Sequence, residues 1–224
     1  MGLKESGLRG SLRNVSVGID AIPDSDIYLQ DDWGDNKLTD REGSGTTTHN
    51  DEEGVYRPEW TLEIGSPTAE DERLKLDRNQ LLFTEINLNL DETVTWEFVG
   101  VHIPDEWAGL GLFAETNNVG DMSNFREHNL QSGYHLILNE ASSESVRLLK
   151  MNGSATELIE SGSHSGIVNI EVTRSPSGEW SLNVDGSNEG STTDTDHDNP
   201  QYIGFSQRDD SVSNPLELDE FKVS

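Results

Sequence analysis

Three carboxylates at alternate positions, Asp194, Asp196 and Asp198, stand in a segment that reads Asp-Thr-Asp-His-Asp. Oxygen ligands that converge from one loop suit a hard cation such as calcium. The segment lacks the glycine at the sixth position and the later glutamate of an EF-hand loop, so that motif is excluded. Two interpretations remain open: a calcium site, or a solvated acidic loop.

A second candidate chemistry is sugar binding, which aromatic and amide side chains in two further stretches could supply. Aromatic faces pack on sugar rings, and neighbouring amides or charged groups fix the hydroxyls from loops. The competing interpretation is ordinary loop packing, in which the aromatic side chains cover the core. The candidate carbohydrate-binding residues are Trp107, Asn117, Asn118, Phe125 and Arg126.

Side chains for nucleophilic catalysis are not arranged in any recognisable set. The chain has no cysteine, which excludes thiol catalysis, thiolate metal sites and disulfides. No Ser–His–Asp set can be selected, and no glycine-rich phosphate loop is present. We therefore predict no catalytic residue and no enzyme activity. The histidines, which show no close pair at ligand spacing, are His49, His102, His128, His135, His164 and His197.

Charge limits the partners more sharply than any motif. Asp and Glu number 43 against 15 Lys and Arg, and the formal net charge is -28. Such a charge destabilises a compact chain in dilute buffer, whereas the screening length falls to about 3 Å at 1 M salt. The composition resembles that of proteins from extremely halophilic archaea and their viruses. Nucleic acid is excluded as a partner, because its binding requires clustered Lys and Arg.

The elements that must position these residues are predicted to be short β-strands separated by turn residues. Ile170 and Val172 alternate with polar residues, and Trp180 begins a second alternating run after the turn Ser175-Pro-Ser-Gly178, which predicts a hairpin. Many such strands indicate a sandwich or barrel. The predicted strands are Glu59–Ile64, Leu81–Leu90, Thr93–Ile103, Leu110–Glu115, Gly133–Asn139, Ser145–Met151, Thr156–Glu160, Ile167–Thr173, Trp180–Asp185, Tyr202–Ser206 and Leu216–Val223.

The first 54 residues lack this periodicity and cannot form a core alone. We predict an extended assembly segment at 1–54 and a sandwich at 55–224; a solvated tail is the alternative for the first part. Met1–Gly10 contains no apolar run of the ~7–15 residues typical of a secretory signal, and no later run is long enough to span a membrane. The candidate assembly residues are Leu8, Leu12, Val15, Val17, Ile19, Ile22, Ile27 and Tyr28.

Five segments resemble the laminin G-like and concanavalin A-like jelly rolls, and the hairpin and last strand are the most specific. The resemblance spans about Glu59 to Ser224 and implies an all-β, antiparallel jelly-roll β-sandwich. Hydrolases on this scaffold carry paired carboxylates about 5–5.5 Å apart on one strand, and no such pair stands here. The segments are Thr95-Trp-Glu-Phe-Val99, Gly133-Tyr-His-Leu-Ile-Leu138, Val172-Thr-Arg-Ser-Pro-Ser-Gly-Glu-Trp-Ser-Leu-Asn-Val-Asp-Gly186, Tyr202-Ile-Gly-Phe-Ser206 and Leu218-Asp-Glu-Phe-Lys-Val223.

High-salt chemistry, the missing signal and a lectin-like module without catalytic acids together lead to one expectation. The chain is expected to be a structural surface protein of a virus of a halophilic archaeon, as a capsid turret, a decoration or a tail fibre head. It would assemble in the host cytoplasm with copies of itself and other virion proteins through residues 1–54, and its sandwich would bind host-surface glycans. The alternatives are a cellular carbohydrate-binding protein and a diverged glycoside hydrolase.

Overall fold

The computed structural model describes residues 29–39, 49–50, 56–104, 107–119, 130–138, 145–208 and 215–224. Within these ranges the chain forms eighteen strands and no helix, and hence no long apolar helix of the kind that crosses a membrane. The strands are β1 Leu29–Asp31, β2 His49–Asn50, β3 Tyr56–Arg57, β4 Thr61–Ile64, β5 Thr68–Glu70, β6 Arg73–Leu76, β7 Gln80–Glu85, β8 Val94–His102, β9 Ala108–Ala114, β10 Ser132–Leu138, β11 Ser145–Asn152, β12 Ala155–Ser163, β13 Ile167–Arg174, β14 Glu179–Val184, β15 Ser187–Thr193, β16 Tyr202–Gln207, β17 Leu216–Leu218 and β18 Glu220–Val223.

Two antiparallel sheets carry the fold. A nine-stranded sheet has the order β15-β14-β13-β8-β17-β6-β5, and β18 joins β8 to β1 beside this path. A seven-stranded sheet has the order β12-β11-β10-β9-β16-β7-β4, and β2 pairs with β3 in a separate ribbon. The predicted fold class, an all-β antiparallel sandwich, is confirmed.

The core lies between the two sheets and is filled by the buried face of each alternating strand. The predicted hairpin is present, since Ile170 pairs with Val184 and Val172 with Leu182. Trp180 is fully buried, and its ring stacks on that of Trp96 with 5.6 Å between the centroids. Burial of such large aromatic side chains contributes much of the free energy of folding, because apolar burial scales with area.

One strand that sequence analysis did not predict, β15, pairs with β14 at the edge of the nine-stranded sheet. Its residues are small or polar, and most of them are exposed, so no apolar alternation marks it. The Asp-Gly sequence of the turn before β15 could have predicted this strand. In the structure Asp185 and Gly186 both have positive φ, 50° and 77°. An Asp-Gly pair at two positive-φ positions is the preferred two-residue hairpin turn.

The sandwich begins before residue 55, which corrects the expected domain boundary. β1 pairs with β18, and Leu29, Trp33 and Leu38 are buried in the main core. The Asp31 carboxylate is buried as well; it accepts hydrogen bonds from Trp60 Nε1 at 2.8 Å and from the Trp33 backbone at 3.0 Å. The Asp- and Gly-rich sequence around Trp33 indicated a loop, but the loop carries a core side chain. The candidate assembly residues from Leu8 to Tyr28 lie outside the described residues.

Candidate functional site

Residues 194–201, which we call the crossover loop, join β15 of the nine-stranded sheet to β16 of the seven-stranded sheet. The loop therefore crosses one end of the sandwich. The same end holds the last residue of β9, Ala114, and the beginning of β10 and β16, since Ala114 pairs with Gly133 and with Tyr202. Side chains from both sheets can meet the crossover loop there.

Lys150, near the end of β11, lies between two of the three carboxylates that sequence analysis singled out. Its Nζ donates to Asp194 Oδ2 at 2.5 Å and to Asp196 Oδ2 at 2.6 Å. The other oxygen of Asp194 accepts from Tyr134 Oη at 2.5 Å, and the Asp194 carbonyl accepts from Trp180 Nε1 at 3.1 Å. The side chain of Asp194 is thus bound to two strands of one sheet, and its backbone carbonyl is bound to an aromatic side chain of the other.

The charge states of this cluster are fixed by its own contacts. Burial raises the pKa of Tyr134, and the hydrogen bond to Asp194 raises it further. Burial also raises the pKa of Asp194, but the hydrogen bonds from Lys150 and Tyr134 outweigh it, so that its pKa lies below the ordinary value. Hydrogen bonds to Asp194 and Asp196 raise the pKa of Lys150. An ionised Asp194 and a protonated Lys150 are therefore both stable at neutral pH.

Calcium does not fit this arrangement at Asp194 and Asp196. Calcium takes six to eight oxygen ligands at about 2.3–2.6 Å, whereas these carboxylates already converge on an ammonium nitrogen. Asp198 is placed differently: its backbone N donates to Glu115 Oε1 at 3.3 Å, beside the buried His197, whose Nδ1 lies 2.9 Å from Glu115 Oε2. Among the described residues, no three His, Cys, Asp or Glu side chains are grouped to hold a metal ion.

Beside the crossover loop lies a depression of about 290 Å³, which we call the amide depression. Backbone hydrogen bonds build it, from Ile86 N to Gln201 O at 2.8 Å and from Gln201 N to Ala114 O at 2.9 Å. Exposed asparagine and glutamine residues, one glutamate and the half-buried Tyr202 line it, and the Tyr202 ring packs edge-on against Phe83 with 5.7 Å between the centroids. Its lining residues are Glu85, Ile86, Asn87, Asn199, Pro200, Gln201 and Tyr202.

The structure separates the residues predicted to bind sugar. Trp107 precedes β9, whereas Asn117 and Asn118 follow it, and seven residues at about 3.3 Å each place them roughly 20 Å apart. The Trp107 ring is also covered, since the Arg208 guanidinium carbon lies 4.0 Å from the ring centroid. The single surface expected from sequence is therefore corrected: Asn117 and Asn118 are exposed at the crossover-loop end, and Trp107 is at the other. Phe125 and Arg126 lie outside the described residues.

A second depression, about 330 Å³, lies on the outer face of the nine-stranded sheet, and we call it the polar groove. Glu97 and Glu171 face each other across β8 and β13, a carboxylate pair that sequence analysis missed because the residues lie on different strands. Each carboxylate accepts a hydrogen bond. Lys222 Nζ donates to Glu97 at 2.9 Å, and Asn183 Nδ2 donates to Glu171 at 2.7 Å. Neither is buried, so the groove lacks the apolar pocket that makes a carboxyl group a general acid.

No protein-family model and no curated protein sequence matches this chain. Comparison with solved structures places the sandwich in the concanavalin A-like jelly-roll fold of carbohydrate recognition domains.

Three structures illustrate the likeness. The carbohydrate recognition domain of Emp46p, potassium-bound, is 16% identical with a TM-score of 0.58 over 73% of this chain and 87% of that one. That of Emp47p is 14% identical with a TM-score of 0.57 over 85% and 95%. The VIP36 exoplasmic/lumenal domain, Ca²⁺/Man₃GlcNAc-bound, is 15% identical with a TM-score of 0.58 over 75% and 86%.

At such low identity the likeness shows the fold alone. It confirms the concanavalin A-like part of the expected resemblance, and the neighbours Emp46p and Emp47p are described as carbohydrate recognition domains. They lend no support to the expected link with viral surface proteins.

Proposed function

We propose that the chain is a carbohydrate-binding module whose site is the amide depression. The observation that carries the proposal is that Asn87, Asn199, Gln201 and Tyr202 line one depression at a loop end of a concanavalin A-like sandwich. Amides donate to and accept from sugar hydroxyls, and an aromatic ring packs on the apolar face of a sugar. The similar structures of Emp46p and Emp47p are described as carbohydrate recognition domains, which agrees with this role.

The size of the depression limits the ligand. About 290 Å³ lies just below the roughly 300–1,000 Å³ that ligand pockets occupy. One or two sugar rings fit such a volume, whereas a long chain would have to extend over the surface. A neutral sugar is favoured over an acidic one, because Glu85 stands at the rim of a strongly negative protein.

The setting in which the module works is a separate part of the proposal. A cellular carbohydrate-binding protein agrees best with the neighbours, since VIP36 is described as an exoplasmic/lumenal domain bound to mannose-containing ligands. Display on the surface of a virion of a halophilic archaeon is supported only by the net charge of -28 and by the apolar series in residues 8–28. Purification of the native assembly, followed by imaging, separates the two settings.

The binding site is tested by glycan-array screening and then calorimetry in roughly 2 M KCl, which screens the acidic surface. Asn87→Ala and Asn199→Ala remove exposed side chains, so the fold should be retained. Each variant should lower the affinity roughly 2- to 12-fold, the equivalent of one hydrogen bond. Asn117→Ala is the matched control, because it is an exposed asparagine at the same end but outside the depression.

Loss of binding in Asn117→Ala with normal binding in Asn87→Ala and Asn199→Ala would move the site to the loop that sequence analysis selected. An array on which no glycan is bound would reject the proposed function itself.

A further inference from the structure

Lys150 stands where two acidic residues of the crossover loop meet the opposite sheet. Its side chain is 16% exposed, and that of Asp194 is 11% exposed, so most of this ion pair is shielded from water. Lys150 belongs to β11 of the seven-stranded sheet, whereas the crossover loop leaves the nine-stranded sheet after β15. The contact therefore holds the first half of the loop against the other layer of the sandwich.

Without a cation, this arrangement would be unstable. Asp194 and Asp196 both direct Oδ2 at one point, and two carboxylates that share a site repel each other. The partial burial of Asp194 increases the repulsion, because screening by water is weaker there. Carboxylate oxygens that converge from a loop suit a hard cation such as calcium. Here the positive charge is an ammonium group supplied by the chain itself.

We infer that Lys150 takes the place of a metal ion and is the positioning residue of the crossover loop. The later part of the same loop carries Asn199 and Gln201 into the amide depression. Lys150 thereby fixes two of the proposed sugar-binding amides without touching the ligand, a consequence that rests on the proposed function. The inference that Lys150 is the cation that holds Asp194 and Asp196 does not depend on the proposed function.

The test compares the thermal unfolding of the parent chain and of Lys150→Gln, in roughly 2 M KCl, with EDTA and with about 20 mM CaCl₂. The parent should show no calcium-specific shift. In Lys150→Gln the freed carboxylates can bind the ion, so calcium should raise the midpoint by about 3 °C or more beyond any shift of the parent. Lys150→Arg should behave as the parent does, because it retains the cation.

Lys222→Gln is the matched control, since Lys222 bonds to one carboxylate, Glu97, while the Glu171 that faces Glu97 stays bound to Asn183. Loss of Lys222 therefore vacates no point on which two carboxylates converge. A calcium response of the parent or of Lys222→Gln as large as that of Lys150→Gln would overturn the inference. If Lys150→Gln folds only with calcium, the inference is supported.

If Lys150→Gln folds under neither condition, calorimetric titration of the parent decides. Specific calcium binding that Asp194→Asn abolishes would reject the inference, and its absence would support it. These outcomes do not depend on the glycan array. The role of Lys150 can therefore be decided even if the chain binds no glycan.

Discussion

Trp33 is the most informative side chain of the amino-terminal part, because it decides whether that part belongs to the fold. Its ring is fully buried, with its centroid 5.7 Å from that of Trp60, which in turn contacts Phe205. Replacing a buried aromatic by alanine costs about 3–5 kcal/mol, a large share of the ~5–15 kcal/mol that stabilises a domain. At about 2–4 °C per kcal/mol for a chain of this size, Trp33→Ala should lower the midpoint by about 6–20 °C.

The backbone at Trp33 sharpens this expectation. Its φ of 56° lies in the left-handed region, which costs a residue with a Cβ about 1–2 kcal/mol. Trp33→Gly should therefore be less destabilising than Trp33→Ala, although both lose the ring. Circular dichroism melts in roughly 2 M KCl measure both. Trp107→Ala is the control, because that ring is half-buried against the Arg208 guanidinium and lies outside the core cluster that holds Trp33.

A midpoint for Trp33→Ala within about 2 °C of the parent would refute the packing of this segment on the sandwich. The same reasoning sets the outcome of truncation. A chain that begins at Val55 lacks Leu29, Trp33 and Leu38 from the core and should be strongly destabilised or unfolded, even in high salt.

Three further outcomes follow from the structure. Circular dichroism should show β structure in ~2–3 M salt and its loss near ~0.1 M, and a fold stable in dilute buffer would contradict the halophilic interpretation. Trp180→Ala should lower the midpoint by an amount similar to Trp33→Ala, since Trp180 is fully buried; an unchanged melt would contradict its place in the core. The Lys150 ion pair sets a pH window: the lowered pKa of Asp194 means its contribution is lost as pH falls below 3.8, and the raised pKa of Lys150 means its contribution is lost above 10.5. Between these limits the difference in melting between the parent and Lys150→Gln should be constant, and a change near neutral pH would contradict the assigned charges.

Strands with a strong local signal could be predicted from sequence, and weak ones could not. The hairpin of β13 and β14 was predictable because apolar alternation and a Pro–Gly turn agree, and the pairing of Ile170 with Val184 confirms it. β15 has no apolar side chain at the sheet edge, where pairing is decided by its neighbour β14 and not by side-chain burial. The same limit hid the core role of Trp33, whose neighbours in sequence are typical of a loop.

The candidate site was harder to predict, because it is assembled from segments far apart in the chain. Asn87 and Asn199 line the same depression only because β7 and β16 pair, with Glu85 opposite Tyr202. Lys150 reaches Asp194 only because the crossover loop passes from one sheet to the other. Neither contact can be recognised from residue spacing along the chain. The alternating carboxylates at 194, 196 and 198 do form such a local pattern, but it suggested a metal ion at the position that Lys150 occupies.

The contacts of the cations connect this site to the charge of the whole chain. With 43 Asp and Glu and 15 Lys and Arg, most carboxylates cannot pair with a basic side chain of their own. Three basic side chains each contact two carboxylates at once: Arg73, Arg147 and Lys150. In each case the carboxylates belong to a different strand or loop from the basic residue. Exposed ion pairs are individually weak, but a shared cation also removes a repulsion between its two acids, which salt must screen elsewhere on the surface. Local order is thus least dependent on salt where a cation is shared, and the crossover loop is one such place. The carboxylates that share a cation are Glu217 and Asp219 on Arg73, Glu157 and Glu160 on Arg147, and Asp194 and Asp196 on Lys150.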